Sequence, residues 1–401
     1  MWFRDTWYNY FKAEHNSVNM QFNPDCWTKS LKLYWDKKYK ESFLELLKYT
    51  NKKIKNFQTS ENVFRIPHWS IFVDIDFSGS EIKISSDFLD VSSANKVPLF
   101  RRIVELNFSL NLTQIKYSED KFKFDFSCDL ELYDPYKMFD ILSEICYFSD
   151  KFDEEFCEQF WAKNISEASV KEIPDNKKEI IYKNFKDIIS SNMKIIEDLE
   201  SRRRNNYAWD VISTTYKMID YTCAPKGSLA LRISEKVAEL YNRDQSLETI
   251  IFRWKEFLKD ISEMPKEDFF KNLYETEQFI PNKKVATKEQ IAEYLRPGYS
   301  DAYQDLQSGD FESAYLIFMH ILYNSMYYHI MPVWMEKAIV KAIKTGSNSP
   351  VNQMQVWVLS WRIAEIINLQ NIPSNSTNFF SGLLVFIWWI IAWIIMSMFG
   401  N

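Results

Sequence analysis

The sequence predicts an α+β fold: an antiparallel sheet with flanking helices, followed by an all-α domain and a C-terminal transmembrane helix. Three observations predict it. Strict alternation of apolar and polar residues is confined to residues 63–132. After residue 174 apolar residues recur only at helical spacing, in segments separated by proline. Residues 379–399 contain no charge, no proline and a single glycine. The expected units are therefore a domain at 28–165, a helical domain at 175–370 and a membrane segment at 379–399.

The composition supports ordered cores. The chain has 31 Phe, 22 Tyr and 14 Trp against only 7 Gly, so packing can be filled with aromatic rings. Its net charge of −6 is spread over interspersed signs, which gives no field to hold a nucleic-acid backbone. The basic run Arg202-Arg203-Arg204 follows Glu197, Asp198 and Glu200 and reads as a solvated helix face.

Along the first domain, Trp35, Tyr39, Phe43, Leu46, Leu47 and Ile54 recur at three- and four-residue steps, which predicts an amphipathic helix over 31–57. A short strand is expected at 63–66. The period then becomes two. Trp69, Ile71, Val73, Ile75 and Phe77 alternate, and after Ser78-Gly79-Ser80 so do Ile82, Ile84 and Phe88, making a hairpin with one wet face. Pro98 opens a second helix over 98–110, with Leu99, Ile103 and Leu106 on one side. Ile115 and Tyr117 lead to a turn at Ser118-Glu119-Asp120, and Phe122, Phe124, Phe126, Cys128, Leu130 and Leu132 form the returning strand. Asp134-Pro135 then starts a long helix whose stripe of Ile145, Phe148, Phe152, Phe156 and Phe160 is expected to cover the sheet.

This order, and especially VPLFRRIVELNFSLNLTQIKYSEDKFKFDFSCDLE at 97–131 followed by a long helix, resembles the type III secretion chaperone family (CesT-like) and its YbjN-like relatives. The resemblance covers residues 28–165. It implies a domain that commonly dimerises and that holds extended segments of other proteins. Members of that family are usually small and soluble, whereas this chain adds a helical region and a membrane segment, which points to a tethered binding domain.

The helical region is expected to break at Ala224-Pro225-Lys226-Gly227, Met264-Pro265, Ile280-Pro281 and Arg296-Pro297-Gly298. One stretch, SDAYQDLQSGDFESAYLIFMHIL, resembles a single tetratricopeptide-type hairpin, with Ala302 and Tyr303 before a Gly309-Asp310-Phe311 turn and Ala314 after it. A generic helical bundle accounts for the same small residues, since no repeat period is visible.

Few residues nominate chemistry. The cysteines Cys26, Cys128, Cys146, Cys157 and Cys223 are scattered, which argues against zinc and against a disulfide framework. The histidines His15, His68, His320 and His329 lack ligand spacing, so no metal or cofactor is expected. Asp74, Asp76, Glu81 and Lys83 fall on one face of the first hairpin and have the spacing of a Mg²⁺-dependent nuclease, although charged residues also suit the solvent face of any hairpin.

The segment at 379–399 is about 31 Å long as a helix, the thickness of a bilayer core. Its expected anchor residues are Phe379, Phe386, Trp388, Trp389, Trp393, Met396 and Phe399. With no apolar leader at the start of the chain, the expectation is a tail-anchored protein with its bulk in the cytoplasm. The functional expectation is a non-enzymatic adaptor at that membrane, holding a protein client, contacting lipid through its tail and able to form a homodimer. The rivals are a tethered nuclease and an oligomer that perturbs membranes through its tryptophan-rich tail.

Overall fold

A computed structural model of the chain describes residues 7–14, 23–166, 171–240, 244–281, 283–348 and 350–368. Two helices come first, α1 (Pro24–Trp35) and α2 (Tyr39–Thr50). The single helix expected over 31–57 is thus divided, because Lys37 takes a left-handed conformation with φ of 59°. Four strands follow: β1 (Gln58–Ser60), β2 (Val63–His68), β3 (Ile71–Asp76) and β4 (Glu81–Asp90). Helix α3 (Lys96–Ser109) leads to β5 (Gln114–Ser118) and β6 (Lys121–Asp129), then to the long α4 (Pro135–Phe160) and the short β7 (Lys163–Asn164).

Among the described residues these seven strands form one antiparallel sheet in the order β1-β2-β3-β4-β6-β5, with β7 also pairing with β4. The first hairpin pairs Asp74 with Ser85 and Asp76 with Lys83. The second turns at Glu119-Asp120, both at positive φ, which suits the twist of a two-residue hairpin loop. Period-two alternation puts Phe64, Val73, Ile75, Ile82, Ile84, Phe122 and Phe124 on one face, and α2, α3 and α4 bury Leu46, Ile103, Ile141, Ile145 and Phe156 against it. The opposite face is polar. The Asp134 side chain caps α4 by accepting from Lys137 N–H, with Pro135 in the first turn.

The second core is built from α5 (Asp175–Ser201), α6 (Asn205–Cys223), α7 (Gly227–Glu239), α8 (Leu247–Ser262), α9 (Lys266–Lys271), α10 (Lys288–Ser308), α11 (Phe311–Tyr328), α12 (Val333–Thr345) and α13 (Gln353–Asn368). The region is not purely helical. Strand β8 (Lys171–Glu172) pairs with β9 (Tyr274–Glu275), and β10 (Lys284–Val285) runs parallel to β11 (His329–Ile330). Pro297 does not break the chain into two helices as expected, since α10 continues through it. At Gly298 a Cβ would fall 2.5 Å from Ile321 Cγ2, so the glycine allows α11 to pack closely against this part of α10. Tyr8, from the start of the chain, is fully buried in this core, where its N–H donates to the Tyr315 hydroxyl at 2.9 Å.

The expected fold class is therefore corrected in two respects. The second region carries short strand pairs, so it is not all-α. Among the described residues no helix is long and apolar enough to cross a membrane. The two longest, α4 and α5, are amphipathic and carry charged side chains outside the core. Phe379, Phe386, Trp388, Trp389, Trp393, Met396 and Phe399, which carried the expectation of a transmembrane helix, lie outside the described residues.

Candidate functional site

The hairpin carboxylates share a face as their spacing predicts, but each is already engaged. Arg65 Nη1 lies 3.2 and 3.1 Å from the two oxygens of Asp74. Asp76 Oδ1 accepts from Ser78 N–H at 2.9 Å and Ser78 Oγ at 2.7 Å, bonds that lower its pKa. Partial burial raises that of Asp74 against the pull of Arg65. Glu81 pairs with Lys83 at 3.4 Å. Among the described residues no three His, Cys, Asp or Glu side chains gather to hold a metal ion. The structure does not bring these four residues into one cation site.

The arginine run is not a solvated helix face. It occupies the turn between α5 and α6, where Arg202 donates to both oxygens of Glu312 at 2.8 Å and Arg204 bonds Glu312 and Asp310. These contacts tie the turn to the start of α11. Cys146 and Cys223 are buried and all five cysteines are free.

The outer face of α3 is the feature that sequence periodicity missed. Its inner face buries Leu99, Ile103 and Leu106, while Val97, Val104 and Phe108 are 65%, 55% and 87% exposed. Positions 97, 104 and 108 are seven and four residues apart, so they line one side of the helix, with Arg101 between them. The available signal was that α3 is apolar on two sides, not one. Ion pairs border the row: Lys96 with Asp120 at 2.7 Å and Arg102 with Glu155 at 2.9 Å.

The neighbouring sheet edge is closed at its centre. Asn107 Nδ2 donates to Ile115 O at 3.0 Å, and Ile115 N–H donates to Asn107 Oδ1 at 2.8 Å, so one side-chain amide stands where a further strand would pair with β5. Glu144 pins the loop between them, accepting from Asn111 N–H at 2.6 Å, Leu112 N–H at 3.1 Å and Thr113 N–H at 2.8 Å. The other edge, β1, is only three residues long and irregular in register. Addition of a partner strand is disfavoured at both ends of the sheet.

A polar junction joins the two cores. His68, fully buried, accepts the Phe279 N–H at Nδ1 (3.0 Å) and places Nε2 3.0 Å from Asp150 Oδ1. Because Nδ1 is an acceptor here, Nε2 carries a ring proton and donates it to the Cys146 carbonyl at 3.2 Å, beside the Asp150 carboxylate. Ser70 Oγ donates to Asp153 at 2.5 Å, and burial pushes the Asp153 carboxyl up to about 7. Lys226, lowered to about 8 by burial, lies over the Trp69 ring at 5.2 Å. At Gly227, φ +56°, a Cβ would fall 2.3 Å from Glu154 Oε1, so glycine lets that carboxylate approach the first turn of α7. These groups fix the two cores to one another.

No protein-family model matches this chain, and no curated protein matches it.

Proposed function

We propose that the chain is a protein-binding module of the secretion-chaperone type, non-enzymatic, which holds a segment of a partner protein against the outer face of α3. The observation that carries this reading is the row Val97, Val104 and Phe108, apolar and exposed on a helix whose other side already serves the core. Covering three such side chains contributes on the order of 5 kcal/mol before ordering costs, enough to organise an interface. The flanking ion pairs supply the polar rim that such surfaces carry. Element order supports the chaperone type: helices, a four-strand run, a helix, a hairpin and a long helix around one antiparallel sheet.

Recognition by an apolar helix face fits better than strand addition, because Asn107 occupies the outward backbone groups of Ile115. The test is co-purification of partners with the wild-type chain and with Val104→Glu/Phe108→Glu. Both positions are exposed, so the variant is expected to keep the wild-type melting temperature while losing the partner. Retention of the same partners by a folded variant would refute the assignment of α3.

A further inference from the structure

The exposed row of α3 has a spacing of its own. At about 100° per residue, Val97, Arg101, Val104 and Phe108 fall within roughly 60° of arc, and their steps of four, three and four residues are those of a coiled-coil seam. The seam runs for about 16 Å along the helix, and all four residues on it are exposed. A partner that follows this seam has to repeat its own apolar contacts at the same spacing. A helix does so, whereas an extended strand presents side chains at a period of two. The sheet edge beside α3 offers a strand no pairing at its centre either, since Asn107 holds both outward backbone groups of Ile115.

Arg101 gives the seam a preference of charge. Helix α3 carries four charged side chains, and the other three are matched within this chain: Lys96 lies 2.7 Å from Asp120, and Arg102 lies 2.9 Å from Glu155 and 3.3 Å from Glu105. Among the described residues Arg101 has no ion-pair or hydrogen-bond partner, and Glu105, one turn further along, is taken by Arg102. A purely apolar cover would strip water from the Arg101 guanidinium and return no charge to meet it, which is costly. A carboxylate opposite removes that cost, and the planar guanidinium fork matches its two oxygens.

We infer that the partner segment seated on α3 is an amphipathic helix that places an Asp or Glu carboxylate opposite Arg101, with apolar residues covering Val97 on one side and Val104 and Phe108 on the other. The inference rests on α3 being the binding face. A second copy of this chain does not supply such a segment. Packed parallel and in register about a two-fold axis, Arg101 would meet Arg101. Packed antiparallel with Val97 against Phe108, it would meet Val104, while Glu105 stays with Arg102.

The test is fluorescence anisotropy of the full chain with labelled synthetic helices of about 18 residues, whose leucines are spaced four, three and four apart. In one set glutamate replaces a single seam leucine, at each position in turn, and in a second set lysine does. The expected result is one position at which the glutamate helix binds at least about fivefold tighter than the lysine helix, a difference that shrinks from about 50 to about 500 mM salt. Arg101→Glu is expected to reverse that preference and Arg101→Gln to abolish it. Because Arg101 is exposed and unpaired among the described residues, both variants should keep the wild-type melting temperature. Equal binding of the two sets at every position, or a glutamate preference that survives in folded Arg101→Glu, would overturn the inference. So would failure of every helix, the all-leucine one included, to bind at about 1 mM. Partners that co-purify with the wild-type chain and are lost from Val104→Glu/Phe108→Glu would in each of these cases keep α3 as the binding face, so the two failures are distinct.

Discussion

The imidazole of His68, at the end of β2, accepts the backbone N–H of Phe279, 211 residues further along the chain. Beside it Trp69 N–H donates to Glu277 O at 3.0 Å. The segment between β9 and β10 thus leaves the helical core, and Phe279 and Ile280 pack into the core under the sheet. The two cores share structure rather than a flexible tether.

Phe279→Ala is therefore expected to weaken both cores together. Truncating a fully buried phenylalanine costs about 3–5 kcal/mol, through lost burial and the cavity left behind. Urea denaturation followed by far-UV circular dichroism should move to lower midpoint for helix and sheet signals alike. A loss below about 1 kcal/mol would show that the crossing segment is dispensable.

Asp153 gives the junction a pH signature. Its folded pKa of about 7 lies above the ordinary carboxylate value, so unfolded chains release this proton first. Its contribution is fully present below about pH 4, falls as the pH rises toward 7 and is lost above that. Asp153→Asn keeps an acceptor for Ser70 and removes the penalty. The variant should gain about 1–3 kcal/mol over the wild type at pH 8 and little at pH 4, as measured by denaturation at both values. An equal difference at the two pH values would contradict the assignment.

Asn107→Ala should expose the edge of β5. Two hydrogen bonds to Ile115 are lost, at a cost of about 1–3 kcal/mol, and a bare strand edge invites pairing with another copy. Sedimentation velocity is expected to show new concentration-dependent species. A variant that stays in the wild-type oligomeric state at every concentration would mean the edge is closed by something other than this amide.

Glu312→Ala should loosen the turn between α5 and α6. It strips the carboxylate from between Arg202 and Arg204, both partly exposed, so the cost is about 1–3 kcal/mol rather than that of a fully buried pair. Thermal denaturation measures it. Wild-type stability would show that the two arginines are held by Asp198 and Asp310 alone.

Much of the sheet domain was legible because its signals are local. Alternation placed Ile71, Val73 and Ile75 inward and predicted the turn at Glu119-Asp120, and the stripe from Ile145 to Phe160 marked the covering helix. What was not legible depends on partners distant in sequence. Nothing near Tyr8 announces that it reaches Tyr315, and Ile280-Pro281 looked like a linker although Ile280 is buried under the sheet. Pro297 looked like a break because propensity cannot see α11 packing at Gly298. For the candidate site, counting only the inner apolar row of α3 hid Val97, Val104 and Phe108.

The most direct measurement places a benzophenone side chain at position 108 of the full-length protein and maps photo-crosslinks in intact cells. Position 252 serves as the control, since Phe252 is also exposed, at 66%, but lies on α8 in the other core. The expected result is a discrete crosslinked protein from 108 and none from 252, with the same species lost in Val104→Glu. An adduct of twice the 48.1 kDa chain mass would identify the partner as a second copy. Equal, diffuse labelling from both positions, or none from 108, would contradict α3 as the binding face.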